Sequence, residues 1–192
     1  LQLYFQPKVD AASGLPVVNV AGCPTHPGWV LDTLALLAAD ALPASGLDSL
    51  QRPRFYADRL VHHGCPRNEF YEFKATAHAL GQQGCLIEHL GCRGTLAHAD
   101  CNIRPWHGAS SCLKGGFSCI DCTAPDFAAA HRQPLTTPRL AGLPTILPSD
   151  MPKAWFVALS ALSKSATPAR LRHNAQSERL DIAPTPPTGK RR

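Results

Sequence analysis

The chain has 192 residues, of which 44% are apolar and only 17% are charged, and it contains 18 prolines and 14 glycines. This composition supports one ordinary hydrophobic core and excludes a disordered tail, a coiled coil and a collagen-like chain. The net charge is +5, but residues 1–150 hold 11 Lys and Arg against 12 Asp and Glu, whereas residues 151–192 hold 8 against 2. The basicity belongs to the C-terminal segment and does not indicate a nucleic-acid-binding face over the whole domain.

The first expected element is a strand that leads into a helix. Residues 15–22 form a short β-branched apolar run without alternation, which is typical of a buried parallel strand. A loop with Cys23 follows, and the Ala- and Leu-rich stretch from Trp29 to Leu42 predicts a helix. This order places Cys23 at the carboxyl end of the strand, where open α/β sheets bind their ligands. One strand and one helix cannot bury their apolar faces by themselves. We therefore expect them to be the last strand–helix unit of a larger domain that begins before Leu1.

The rest of the chain is dominated by loops. Residues 81–127 form a stretch of 47 residues without hydrophobic periodicity. Such a stretch argues against a conventional core and indicates loops that are held together by bound inorganic groups. The expected elements are a linker over 43–54, helices over 55–64 and 68–80, the irregular stretch over 81–127, an extended Pro-rich segment over 132–152, a helix over 154–162 and a polar tail over 163–192.

No apolar stretch reaches the roughly 18 residues that a membrane-spanning helix needs. The longest candidate, from Trp29 to Leu42, is interrupted by Asp32 and Asp40. We therefore expect no membrane anchor in this sequence.

The chain has 8 cysteines, and all except Cys23 lie between Cys65 and Cys122. A chain of this length with its own core has less need of disulfides, so metal binding is the favoured interpretation. His62 and Cys65 are three residues apart and would share one face of a helix. Cys119 and Cys122 have the C-x2-C spacing of zinc and iron–sulfur sites. The candidate ligands of this region are His62, Cys65, Cys85, Cys92, Cys101, Cys112, Cys119 and Cys122.

Three kinds of cysteine site stay open on spacing alone. Structural zinc sites usually pair two tight knuckles, and this sequence shows only one clear knuckle, so the wide gaps favour an iron–sulfur core. A zinc-stabilised binding module and a disulfide-linked fold are the alternatives. His63 is an alternative partner for Cys65, although the helical spacing favours His62.

The motifs around these cysteines resemble nickel–iron hydrogenase small subunits over residues 15 to 175. Residues 22–27, Gly-Cys-Pro-Thr-His-Pro, resemble the Gly-Cys-Pro-Pro-x-Pro motif of that family. Further likeness lies in residues 62–65, 84–86, 90–94, 100–101 and 119–125. The runs 85–92 and 151–160 are most similar to the hydrogen-sensing, or regulatory, branch.

The resemblance sorts the ligands into three iron–sulfur clusters. Cys23 would be the last of four ligands to a proximal 4Fe–4S cluster, whose other cysteines belong to the family's N-terminal flavodoxin-like domain and are absent here. The resemblance therefore implies a C-terminal fragment. A distal 4Fe–4S cluster would be held by His62, Cys65, Cys85 and Cys92, and a medial cluster by Cys101, Cys119 and Cys122.

Cys112 departs from the family pattern. Many members carry a proline near this position, which leaves three cysteines and a 3Fe–4S medial cluster. A fourth thiolate at Cys112 predicts a 4Fe–4S cluster instead, and a 3Fe–4S cluster if Cys112 is only a buried free thiol.

The resemblance also implies domains and function. Residues 1–45 would end the flavodoxin-like proximal-cluster domain, residues 46–150 would form an irregular, partly helical domain for the medial and distal clusters, and residues 151–192 a short helix with a basic tail. The fold class is thus an α/β remnant followed by an iron–sulfur domain.

The implied function is electron transfer from H2 oxidation in a large partner subunit, so no catalytic residue is expected in this chain. We expect a cytoplasmic H2 sensor that signals to a histidine kinase or another redox acceptor, without nucleic acid or membrane binding. A soluble respiratory uptake hydrogenase is the alternative within the family.

Overall fold

The computed structural model describes residues 17–129, 135–140, 143–144, 146 and 152–178. The regular elements are short, and loops join them around one core. Six helices and one antiparallel pair of strands are formed by the described residues: α1 Pro27–Ala38, α2 Arg54–Ala57, α3 Asn68–Glu72, α4 Ile87–Leu90, β1 Arg139–Leu140, β2 Leu143–Pro144, α5 Lys153–Ala166 and α6 Ala169–Ala175. Two 3₁₀ turns lie at Ala44–Gly46 and Val61–Gly64.

Helix α1 confirms the predicted helix after Cys23, although it begins at Pro27 and ends at Ala38. The imidazole of His26 caps it by accepting the backbone N–H of Gly28 at 3.0 Å, and proline is favoured at the first helical position. Asp40 has a φ of 51°, a left-handed conformation that cannot continue the helix to Leu42.

The predicted strand is not formed over residues 17–22, and residues 15–16 lie outside the described residues. A strand requires a paired neighbour, and these residues instead hydrogen-bond to a loop and to helix α2. The backbone N–H of Asn19 donates to the carbonyl of Gln51 at 2.8 Å, and the hydroxyl of Tyr56 donates to the carbonyl of Asn19 at 3.2 Å. The flavodoxin-like remnant stays a prediction.

The helix predicted over 55–64 is wrong in extent, because it breaks into α2 and the 3₁₀ turn Val61–Gly64. The N–H groups of Val61 and His62 donate to the carbonyls of Ala97 and Gly94, at 3.0 and 2.9 Å. These long-range bonds replace the i→i−4 bonds that a continuous helix would need.

The helix predicted over 68–80 ends at Glu72, because Lys74 has a left-handed φ of 52°. Beyond it, Ala77 donates its N–H to the carbonyl of Cys85 at 2.9 Å, and Cys85 donates to Ala75 at 3.0 Å. The chain therefore leaves the helix to pair with the loop that carries a candidate ligand.

The irregular stretch expected over 81–127 is confirmed, with the single turn of α4 as its only helix. Its cohesion comes from a core that includes three of the cysteines, Cys85, Cys92 and Cys119. Trp29 anchors this core, because its ring stacks on Tyr56 at 4.2 Å and its indole N–H donates to the buried carboxylate of Asp100 at 2.7 Å.

The polar tail expected over 163–192 is corrected for its first half. Helix α5 continues to Ala166, Pro168 separates it from α6, and residues 179–192 lie outside the described residues. Leu171 and Ala175 of α6 are buried against Ala75. Of the Pro-rich segment expected over 132–152, the described part includes β1 and β2, in which Arg139 pairs with Pro144.

No described helix is both long enough and apolar enough to cross a membrane.

One buried guanidinium ties the loops together. Arg67 follows Cys65 by two residues, and only 1% of its surface is exposed. It donates to the carbonyls of Leu113 at 3.3 Å and Gly84 at 2.6 Å, and also to the carbonyl of Gln82. Arginine suits this place because its planar fork presents five donors in fixed directions.

Replacement of Arg67 by methionine is expected to lower stability by about 3 kcal/mol or more, because each buried carbonyl left unpaired costs about 1–3 kcal/mol. The stability of Arg67→Lys should lie between that of the wild type and that of Arg67→Met, since lysine keeps the charge but loses the planar fork of donors. Thermal unfolding of the full-length protein under anaerobic conditions measures the effect.

The matched control is Arg170→Met, which removes an exposed pair with Glu69 (3.0 Å). Such a pair contributes about 0–1 kcal/mol. Equal losses for Arg67→Met and Arg170→Met would contradict the tying role of Arg67.

Candidate metal centre

The 3₁₀ turn Val61–Gly64 brings His62 and Cys65 to one side of the chain. Cys65 donates its N–H to the carbonyl of His62 at 3.1 Å, and side chains three residues apart eclipse in this turn. Gly64 permits the close packing, since a Cβ there would lie 2.8 Å from Cγ1 of Ile103. The pairing of His62 with Cys65 thus arises from a 3₁₀ turn and not from the α-helix that we expected.

Cys85 and Cys92 flank the single turn of α4. Gly84 precedes the first, and a Cβ there would lie 2.6 Å from the backbone N of Ala77. Gly91 precedes the second with a left-handed φ of 62°, which ends α4 and turns the chain toward the core. Two glycines therefore set where both thiols lie.

The thiols of Cys65, Cys85 and Cys92 form one group. Burial raises the pKa of Cys85 to about 12, and the nearby Cys92 and Cys65 raise it further. Burial also raises the pKa of Cys92 to about 11. Opposing these effects, the backbone of Ile87 hydrogen-bonds to Cys85, so a partial positive charge already faces the sulfur.

His62 is a half-buried imidazole in the turn that precedes Cys65. Burial lowers the pKa of His62, which favours the neutral form that binds metals. Its ring lies 4.4 Å from the ring of Tyr71. His63 is exposed and its Nδ1 accepts the N–H of Leu60 at 3.3 Å, so the geometry favours His62 as the ligand.

A second group of thiols surrounds a cavity of about 550 Å³. Apolar side chains such as Val61, Leu113 and Ile120 form much of its wall. The cysteines that line it are Cys23, Cys101, Cys112, Cys119 and Cys122.

The effect of each cysteine on the pKa values of the others shows which thiols in this cavity are neighbours. Burial raises the pKa of Cys101 to about 12, and Cys112 and Cys122 raise it further. Burial raises the pKa of Cys122 to about 11, with Cys112 and Cys23 adding to the effect. The structure therefore brings Cys112 to the same group as Cys101 and Cys122.

Cys119 connects the two groups. Burial raises its pKa well above the ordinary thiol value, and both Cys92 and Cys101 add to the rise. The backbone of Cys119 hydrogen-bonds to the sulfur of Cys92, and Arg93 donates its N–H to the carbonyl of Cys119 at 2.8 Å. The two thiol groups are therefore adjacent, and the backbone of Cys119 lies between them.

The donor set fits iron–sulfur clusters. All 8 cysteines are free thiols in the structure. In the part of the chain that the structure describes, no three His, Cys, Asp or Glu side chains converge as they would on a single ion. Soft cysteine sulfurs around a wide apolar cavity, with backbone N–H groups directed at sulfur, suit a polynuclear iron–sulfur core once they are deprotonated.

Sequence reasoning missed how these ligands are supported. Arg67 belongs to no motif, and Gly84 and Asp100 lie in motifs that say nothing of their contacts, because their partners are far away in the sequence. Asp100 lies beside Cys101 and receives the Trp29 indole N–H across 71 positions. The signal that identifies Arg67 and Asp100 is that they are charged side chains that are buried. Burial is known only from the three-dimensional structure.

The central part of the chain matches a known family. Residues 56–134 match the family that is described as the C-terminal part of the NiFe/NiFeSe hydrogenase small subunit. The chain is 39% identical to the F420 non-reducing hydrogenase II small subunit of Methanosarcina mazei over 142 residues, which cover 65% of this chain and 36% of that protein. It is 36% identical to the periplasmic NiFeSe hydrogenase small subunit of Desulfomicrobium baculatum over 117 residues, which cover 58% and 36%.

Solved structures show a similar fold. The actinobacterial-type NiFe-hydrogenase from Ralstonia eutropha H16 matches with a TM-score of 0.60 and 31% identity, over 88% of this chain and 50% of that chain. The NiFeSe hydrogenase from Desulfovibrio vulgaris Hildenborough matches with a TM-score of 0.55 and 34% identity, over 63% and 46%. The chain spans about a third of the length of these curated relatives and about half of the solved chains.

The pKa values predict unequal thiol reactivity in folded protein from which the metal has been removed. At pH 8 a thiol of pKa 12 is on the order of 10⁻⁴ thiolate, whereas an ordinary cysteine is about one quarter thiolate. We expect iodoacetamide to modify exposed Cys23 within minutes and buried Cys85 far more slowly, with the Cys85 rate rising as the pH rises. Peptide mass spectrometry measures both rates.

The control is the same protein in urea, where the two cysteines should react alike. Equal rates in native buffer would contradict a pocket that exists before the cluster binds.

Proposed function

We propose that this chain carries electrons within a nickel–iron hydrogenase, because residues 56–134 match the C-terminal family of NiFe/NiFeSe hydrogenase small subunits. The observation that supports the proposal most directly is the continuity of its two thiol groups, which adjoin where Cys119 contacts Cys92. The large partner subunit would oxidise H2, and the small subunit would pass the electrons on. No residue of this chain is assigned a catalytic role.

Each ligand group has a definite place in the proposal. His62, Cys65, Cys85 and Cys92 hold the distal cluster, and Cys101, Cys112, Cys119 and Cys122 hold the medial cluster. When bound, such clusters supply reversible one-electron storage. The chain's residues supply the apolar walls that exclude water and the backbone N–H groups that stabilise negative sulfur.

The position of Cys112 supports a four-iron medial cluster. Its charge influences both Cys101 and Cys122, so a fourth thiol lies beside the three family ligands. Cys23 lines the same cavity and is exposed, which supports a role as a ligand to a neighbouring proximal cluster.

The cytoplasmic H2 sensor is the finer proposal. It rests on the likeness of residues 85–92 and 151–160 to the hydrogen-sensing branch. Fractionation of the source cells tests the location, and recovery of the protein in a periplasmic fraction would contradict it.

Metal analysis tests the electron-transfer function. The full-length protein, purified anaerobically with its bound partner, is expected to be brown and to contain iron and acid-labile sulfide in similar amounts. A colourless preparation with zinc and without sulfide would refute the proposal and favour the zinc-stabilised module.

Electron paramagnetic resonance tests the role of Cys112. The oxidised wild-type complex is expected to lack a stoichiometric three-iron signal, and Cys112→Ala should gain one because the fourth thiolate is lost. Ser110→Ala, which changes another exposed residue of the same cavity wall, is the control and should behave like wild type. A full three-iron signal in fresh wild-type protein would show that Cys112 is not a ligand.

A further inference from the structure

His26 is a buried histidine that the proposed ligand sets do not use. It lies three residues after Cys23, immediately before α1, and only 8% of its surface is exposed. It lines the cavity around which Cys101, Cys112, Cys119 and Cys122 are arranged. A buried polar group normally has a hydrogen-bond partner for each donor, so the two ring nitrogens need an account.

The partner of Nδ1 determines the tautomer of the ring. The backbone N–H of Gly28 donates to Nδ1 at 3.0 Å, so the lone pair of that nitrogen is engaged. In the neutral ring the proton therefore lies on Nε2, which is a donor. Nε2 is buried and has no hydrogen-bond partner among the described residues.

The ring is held in place on several sides. The rings of Trp29 and Trp106 lie 5.2 and 5.3 Å from it, and Trp29 is itself locked by its bond to Asp100. A Cβ on Gly28 would lie 3.0 Å from Cε1 of the imidazole, so only glycine leaves this ring its space. The Nε2 donor is therefore pre-oriented and does not depend on a mobile side chain.

A buried donor without a partner among the described residues, on a ring that lines the same cavity as four cysteines, indicates an acceptor inside the cavity. We propose that Nε2–H of His26 donates a hydrogen bond to a sulfur atom of the iron–sulfur group seated among these cysteines. This rests on the proposed function, which supplies that group. The four cysteines concerned are Cys101, Cys112, Cys119 and Cys122.

The hydrogen bond has a direct consequence for electron transfer. An N–H donor stabilises negative charge on sulfur, and the reduced cluster is the more negative form. The bond therefore raises the reduction potential. The ring is fixed by the same residues that pack α1 onto the core. His26 therefore tunes the reduction potential of the medial cluster through a hydrogen bond of fixed geometry.

Redox titration followed by electron paramagnetic resonance tests the inference on the anaerobic full-length complex. His26→Phe keeps a planar ring but removes the donor, and we expect the equilibrium constant for reduction of the medial cluster to fall about tenfold, which is about 59 mV for a one-electron couple. His26→Gln keeps an N–H donor and should retain most of the wild-type potential.

His107→Asn is the matched control, because His107 lines the same cavity but is exposed. Asparagine tolerates its left-handed φ of 49°, and the potential should not change. An unchanged potential in His26→Phe at full iron and sulfide content, or an equal shift in His107→Asn, would overturn the inference. Absence of clusters from wild-type protein would instead refute the proposed function.

Should His26→Phe fail to assemble clusters, ¹⁵N-histidine labelling provides a second measurement. Hyperfine spectra of the medial cluster should contain a weak nitrogen coupling in the wild type that is absent from His26→Gln. Identical spectra would overturn the inference.

Discussion

The architecture depends on how loops without regular hydrogen bonding are held in register, and the buried guanidinium of Arg67 is the central contact. It satisfies carbonyls from two loops, around Gly84 and Leu113, that are 29 residues apart. One of these loops leads directly into Cys85 and the other follows Cys112. A charge of this kind is costly to bury, and its hydrogen bonds to these carbonyls offset part of that cost. The same contact therefore both stabilises the loops and defines their spacing.

Burial of the thiols is the second constraint. In the protein alone, burial holds Cys85, Cys92, Cys101 and Cys119 in their neutral form by raising their pKa values. Iron–sulfur ligation requires thiolates, so the charge of the metal must offset the desolvation that these positions impose. The backbone N–H groups directed at the sulfurs contribute part of that compensation before any metal binds. Under the proposed function, folding and cluster binding are therefore coupled through the charge of the buried sulfurs.

The motifs resemble nickel–iron hydrogenase small subunits over residues 15 to 175, and residues 56–134 match the C-terminal family of those subunits. Local signals also located α1 and the irregular character of residues 81–127. Predictions from local signals were wrong where long-range backbone hydrogen bonds replaced local ones. The backbone of Val61 and His62 pairs with residues 94–97, which no pattern near position 61 indicates. Part of the expected polar tail is α6 because Leu171 and Ala175 are buried beside Ala75.

The sequence by itself determined which candidate ligands this protein has, because the thiols and imidazoles are the side chains of Cys and His, and their number and spacing are read directly from the sequence. Tertiary structure alone decided which of these ligands share a site, since that depends on loops brought together across the core. It placed Cys112 beside Cys101 and Cys122, and it left the Nε2 donor of His26 buried at the same cavity. Burial and proximity set charge, pKa and hydrogen bonding, and both arise only when distant segments pack.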